Sequence, residues 1–157
     1  MVLLEDTRQQ PGKHGNIYAY CRTAGIRIIR TKLLVGDYML AGDGGIKGDI
    51  AVDTKYGVPE IAMDIFQAHD RTRKQCETAQ ECGIQLIYLI EESLPGGRLE
   101  NWRSPMGKDG LPRHKFDPVT LRKAMITMQE KYGCRFRFCD GRSTGKELFE
   151  FLKGERK

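Results

Sequence analysis

The run Ile50-Ala51-Val52-Asp53-Thr54-Lys55 constrains this chain more than any other six residues. Its β-branched and apolar residues read as a strand. Side chains alternate between the two faces of a strand, so Asp53 and Lys55 share one face, roughly 6.6 Å apart, and Thr54 takes the other. Acids are disfavoured in strands, so an acid-x-lysine there needs a chemical reason. Sixteen residues before Asp53, Gly36-Asp37-Tyr38 sits inside a second strand pattern from Val35 to Leu40. Gly42-Asp43-Gly44-Gly45 between them is a hairpin signal and predicts that the two strands are neighbours. Two carboxylates and one ammonium then converge. Adjacent carboxylates repel unless a cation lies between them. Oxygen-only ligands suit Mg²⁺ or Mn²⁺, which take phosphate oxygens and water as further ligands. A lysine beside such an ion can orient or deprotonate a water, or stabilise charge on a phosphate under attack. The pattern predicts metal-assisted phosphodiester hydrolysis, with Asp49, four residues before Asp53, as the fallback ligand.

The rest of the chain alternates strand and helix signals. Val2 to Asp6 reads as a first strand, and Gln10-Pro11-Gly12 breaks it. Ile17, Cys21 and Ala24 have helical spacing, closed by Gly25. Ile26 to Thr31, Val35 to Leu40 and Lys47 to Lys55 read as a three-stranded meander. Pro59 fits a first helical turn, and one long helix is expected over 58–82. Ile84 to Ile90 is nearly all apolar, as in a central strand buried on both faces. Residues 91–116 are rich in Gly and Pro and read as a basic loop. Asp117-Pro118 is a helix start. Cys134, Phe136 and Phe138 alternate with arginines as a half-buried strand. Thr144-Gly145-Lys146-Glu147 reads as a capping box that opens a last helix. The order predicts one α/β domain over residues 1–157, with a mixed β-sheet flanked by helices.

Composition narrows the function classes. With 39% hydrophobic and 30% charged residues, the 157-residue chain reads as globular rather than disordered. No apolar run approaches the ~20 residues of a membrane span. Met1-Val2-Leu3-Leu4 meets Glu5 at once, so no signal peptide is read. The expectation is a cytoplasmic protein, or a nuclear one in a eukaryote, with no membrane partner. The net charge of +5 favours a polyanionic partner. Five cysteines without CxxC spacing read as reduced thiols. A zinc site from His69, Cys76 and Cys82 matches no common template. His14, His69 and His114 form no pattern with nearby acids and are expected at the surface. Glu5 is expected to face away from Asp6 in a structural or solvated role.

Taken in order, the motifs resemble the XPF-type nuclease domain of the PD-(D/E)XK superfamily, whose fold is restriction-endonuclease-like. Asp6-Thr7-Arg8-Gln9 matches that family's Asp-x-Arg-Glu. Gly36-Asp37 and then Asp53-Thr54-Lys55 match its Gly-Asp and Glu-Arg-Lys. His69 to Lys74, followed by Ile84 to Ile90, matches its basic helix and buried strand. The resemblance covers nearly the whole chain. It implies an endonuclease acting on branched or flapped DNA, in repair or recombination. Asp37 and Asp53 would hold the metal with Asp6 close by, Lys55 would be the catalytic lysine, and Arg8 would support the carboxylates or contact a phosphate. Arg71, Arg73 and Lys74 would contact the DNA backbone, affinity that carries no sequence information. Trp102 and Arg103 in the basic loop could stack on an unpaired base and grip DNA. Gln9 and Thr54 depart from the family's Glu and Arg, and Asp53 is one methylene shorter than Glu. The acid that follows the family's lysine has no clean counterpart, because Glu60 and Asp64 both fall late. No residues follow Lys157 to build the family's helix-hairpin-helix module. A homodimer or a partner protein is therefore expected to supply recognition of DNA structure. Two other readings stand beside the nuclease: a DNA-binding scaffold of the same fold, and a junction-resolvase-type enzyme.

Overall fold

Parity within the strands builds the two faces of the sheet. The computed structural model describes residues 1–42 and 45–154, with 45–48 by backbone alone. Its strands are β1 (Val2–Asp6), β2 (Arg27–Thr31), β3 (Tyr38–Gly42), β4 (Gly45–Lys55), β5 (Gln85–Ile90) and β6 (Arg135–Phe138). Its helices are α1 (Gly15–Ala24), α2 (Val58–Phe66), α3 (His69–Glu81), α4 (Pro118–Tyr132) and α5 (Thr144–Leu152). The sheet order is β2-β1-β3-β4-β5-β6. Only β3 runs against its neighbours; β1 pairs in parallel with β2, and β4, β5 and β6 pair in parallel. The last residues of β1, β4 and β5 and the first residue of β3 therefore share one end of the sheet.

Alternation sorts the core. Leu4, Met39, Ala51 and Tyr88 join one buried cluster with Ile61 and Leu121, on the side of α2, α3 and α4. Leu3, Tyr38, Val52 and Leu89 join the other with Ile17 and Phe149, on the side of α1 and α5. Asp53 and Lys55 follow Ala51 to the first side, and Thr54 follows Val52 to the second. Gly145 allows α5 to press on α1, since a Cβ there would lie 2.5 Å from the Tyr20 Cβ.

Four expectations need correction. The three-stranded meander is broken, because β1 lies between β2 and β3. The connection over 32–37 crosses the end of β1, with Leu33 and Val35 buried beneath it. Asp37 lies in that crossing, one residue before β3, rather than within a strand. The expected helix over 58–82 is two helices. The break at Gln67 and Ala68 carries neither Gly nor Pro, and the Thr72 hydroxyl secures it by donating to the Asp64 carbonyl at 2.9 Å. The capping box at Thr144 does not form; its hydroxyl donates to Gly141 O at 3.0 Å, from a 3₁₀ turn that runs straight into α5. By contrast, Asp117 caps α4 as expected, accepting from the Val119 and Thr120 amides. The hairpin residues Asp43 and Gly44 lie outside the described residues, although Gly42 and Gly45 pair across the β3–β4 ladder.

Candidate active site

The shared end of β1, β3 and β4 carries an open polar cleft of about 360 Å³. Asp6, Arg8, Gln9, Asp37, Asp53 and Gln75 are among the residues that line it. Gly36 delivers Asp37 to it. The Gly36 φ is +71°, and a Cβ there would lie 3.1 Å from both the Ala51 Cβ and the Val52 carbonyl oxygen. Any side chain would be strained by the dihedral and by the close approach. The Asp37 amide then donates to the Val52 carbonyl at 2.8 Å. Asp37 Oδ2 accepts from the Thr54 amide at 2.8 Å and the Thr54 hydroxyl at 2.9 Å. Burial and the nearby charge of Asp53 push the Asp37 carboxyl up to about 7, against the opposing pull of the Thr54 amide and the Lys55 ammonium.

On the α2–α3 side of β4, Lys55 Nζ lies 2.7 Å from Asp53 Oδ1 and 2.7 Å from Asp64 Oδ2. Gln75 of α3 donates to Asp53 Oδ2 at 2.9 Å. Burial works against the Lys55 charge, but Asp53 and Asp64 outweigh it and hold the ammonium above the usual lysine range. In the metal-free protein Lys55 therefore stands as a positive charge shared by two carboxylates.

Both oxygens of Asp6 accept hydrogen bonds. Oδ1 accepts from the Leu33 amide at 2.8 Å, and Oδ2 accepts from Arg8 Nε at 2.7 Å and the Arg8 amide at 3.2 Å. These bonds tie Asp6 to the 32–37 crossing and to Arg8, whose Nη2 donates to the Leu33 carbonyl at 2.8 Å. Glu5 is buried and structural, accepting from the Tyr18 and Tyr38 hydroxyls and from Arg30. Since Tyr38 donates to Glu5, it accepts from Gln9 Nε2 at 3.2 Å. Gln9 Oε1 is left buried with no hydrogen-bond partner among the described residues.

With this geometry in view, the ERCC4 domain family matches residues 6–152. The chain belongs to the ERCC4 domain family. Its fold is also that of XPF from Aeropyrum pernix, with a TM-score of 0.65 at 18% identity over 99% of this chain and 65% of that one. In the structure of that protein in complex with DNA, the TM-score is 0.63 at 19% identity, over 98% of this chain and 64% of that one. The ERCC4 domain described here therefore spans about two thirds of the length of those chains. No curated protein matches it.

Within this ERCC4 domain, Asp37, Asp53, Lys55, Asp6 and Arg8 gather at one end of the sheet. The other residues singled out from the sequence scatter. Arg71 is 79% exposed, touches Asp64 at 3.5 Å and lines a recess beside Asp53 and Lys55. Lys74 is exposed on the same helix. Arg73 is paired with Asp70 at 3.6 Å and Glu77 at 3.8 Å. Arg103 folds back onto the Glu100 and Trp102 carbonyls. Trp102 is 5% exposed, stacks on Phe116 at 4.9 Å and donates to Glu92 Oε2 at 2.6 Å. Its indole faces are covered, so in this structure it offers no platform to a base. Asp49 is exposed and lies roughly 13 Å up β4 from Asp53. For the zinc alternative, Cys76 is buried against Tyr88 while Cys82 is exposed. Among the described residues no three His, Cys, Asp or Glu side chains converge as a metal cluster. Nor is any helix among them long and apolar enough to cross a membrane.

Sequence reasoning missed several contributors. Asp64 looked too far from Lys55, yet a turn and two turns of α2 bring it back over the lysine. Gln75 reaches Asp53 only because the helix breaks at Ala68 and α3 leans over the cleft. His14, expected at the surface, is 1% exposed behind β4. The one available signal was its position just ahead of a helix beginning.

Proposed function

We propose that this ERCC4 domain is a divalent-metal-dependent DNA endonuclease that hydrolyses phosphodiester bonds in branched or flapped DNA. One observation carries the reading: buried Asp53 and half-buried Asp37 bring two carboxyls together beside the Lys55 ammonium, at the wall of an open cleft. Such a pair is stabilised by a bound cation. The donors fit Mg²⁺ or Mn²⁺. They are all oxygens, two carboxylates suffice for an ion that keeps several waters, and Gln9, whose buried carbonyl oxygen has no partner among the described residues, is one of the residues along the same cleft. Asp37 and Asp53 would hold the ion. Bound there, the metal supplies Lewis acidity toward a phosphate oxygen and a more acidic water.

The chain's own groups do the rest. Lys55, clamped by Asp53 and Asp64, places a positive charge where a phosphate gains negative charge under attack. Gln75 fixes the Asp53 carboxylate. Asp6 aims Arg8, 58% exposed, at the cleft mouth, where it meets a phosphate. Arg71 and Lys74 extend that positive edge along α3, and DNA binding should weaken with salt. The Aeropyrum pernix relative, solved in complex with DNA, supports DNA as the polymer. A second copy or a partner protein supplies recognition of DNA structure.

Two features favour a second reading, a DNA-binding module that does not cut: Gln9 offers an amide in place of a carboxylate, and Asp6 is tied to the Leu33 amide and to Arg8. Labelled flap, fork, junction and plain duplex DNA, incubated with Mg²⁺, Mn²⁺ or EDTA, separate the two. Metal-dependent cutting that disappears in Asp53→Asn and Lys55→Ala supports the nuclease. Binding without cutting in either metal supports the module.

A further inference from the structure

Behind β4, on the face opposite Lys55, a row of polar groups runs through the α1–α5 side of the protein to Asp37. Asn16 donates to Glu91 Oε2 at 3.1 Å and to the Gly141 carbonyl at 2.6 Å. Glu91 Oε1 lies 2.6 Å from His14 Nδ1, with both side chains 8% exposed or less. His14 Nε2 lies 2.9 Å from Thr54 Oγ1, and Thr54 Oγ1 donates to Asp37 Oδ2 at 2.9 Å. The imidazole is stacked on Tyr56 at 4.8 Å and meets the edge of Tyr38 at 6.5 Å. These rings leave it one orientation.

Donor counting fixes the direction of the row. Asp37 Oδ2 also accepts the Thr54 amide, so this oxygen is an acceptor and the Thr54 hydroxyl proton points at it. A hydroxyl has one proton, so Thr54 must accept from His14, and His14 Nε2 carries a hydrogen. At 2.6 Å two bare lone pairs would repel, so one proton also lies between Nδ1 and Glu91. Both Thr54 donors end on Oδ2, and no donor among the described residues reaches Asp37 Oδ1. The carboxylate is pinned by one oxygen and presents the other.

We propose that Glu91, His14 and Thr54 form a positioning relay that holds Asp37 so that Oδ1 faces the metal position. By the resemblance, Thr54 stands at a position where arginine is expected, and here its hydroxyl joins His14 to Asp37. The inference rests on the nuclease reading for its metal, but the relay itself is testable without one. Partners of this kind, behind a ligand, are worth roughly tenfold to a hundredfold in metal affinity.

Two measurements test it at fixed pH. Nitrogen-15 NMR of the imidazoles in the metal-free chain should show His14 protonated at Nε2 with slow exchange; a bare Nε2 overturns the relay. Mn²⁺ titration by electron paramagnetic resonance should show about tenfold weaker binding in Thr54→Val, near wild-type binding in Thr54→Ser, and intermediate binding in His14→Gln, whose amide can still donate. Circular dichroism checks that each variant is folded. A folded Thr54→Val that binds Mn²⁺ within twofold of wild type overturns the proposal. If wild type itself binds no Mn²⁺ and cuts no DNA, the nuclease reading fails, and the His14 spectrum alone decides the relay.

Discussion

Two regions of this ERCC4 domain draw carboxylates out of solvent, and they do it in opposite ways. In the 91–117 segment, Glu92 is surrounded by donors: its Oε1 takes the Val58 amide at 3.0 Å and its Oε2 takes the Trp102 indole at 2.6 Å. Trp102 then closes onto Phe116. At the cleft, half-buried Asp37 sits close to buried Asp53, and the Lys55 that could neutralise them is already shared with Asp64. A half-buried carboxylate with its donors in place fastens a loop. A pair left short of positive charge is a place where the fold gives up stability, and such places mark functional sites.

The largest expected effect lies on the cleft side. Lys55→Ala should lower metal-dependent cleavage by on the order of a thousandfold, as expected for loss of a fixed charge at a reacting phosphate. Initial rates on a labelled flap substrate measure it. Next comes the loop side: Trp102→Ala should destabilise the protein by about 3 kcal/mol through lost packing, with cleavage per folded molecule within a few fold of wild type. Urea unfolding beside the same rate assay checks both halves. A Trp102→Ala protein that is stable but no longer binds DNA would erase the contrast between the two regions.

The third effect is the pH dependence of the metal-free protein. The Asp37 carboxyl stands at about 7 when folded, against an ordinary 3.8. Between those values the folded state holds a proton that the unfolded state has lost, so stability should fall as pH rises from about 4 to about 7. The change is on the order of a few kcal/mol. Asp37→Asn, which keeps an acceptor for Thr54, should flatten the curve and raise the melting temperature at pH 8 without metal. The smallest effect concerns α3. Arg71→Ala should weaken DNA binding several fold and reduce its salt dependence, whereas Arg73→Ala, already paired with Asp70 and Glu77, should change either by less than twofold.

Why these residues and not others were legible in the sequence follows from the range of the interactions. Strand parity is local, so Asp53 and Lys55 could be set on one face and Thr54 on the other from six residues. Asp117 as a cap of α4 and the buried run of β5 are equally local. The place of β1 between β2 and β3 depends on Leu33 and Val35 packing across the end of another strand, and no short pattern encodes that. The break at Ala68 hid Gln75, because a helix drawn straight through from 58 to 82 aims that side chain elsewhere. His14 looked like a surface residue because its partners, Thr54 and Glu91, are 40 and 77 positions away. Trp102 looked available because a Gly- and Pro-rich segment gives no sign of the carboxylate that staples it.

The shared ion of Asp37 and Asp53 is tested most directly by calorimetric titration of Mn²⁺ at pH 7.5, on the wild type and on Asp37→Asn and Asp53→Asn. The account predicts one Mn²⁺ per chain in the wild type, with proton release, and its loss in each variant. Wild-type affinity retained in both variants would contradict it.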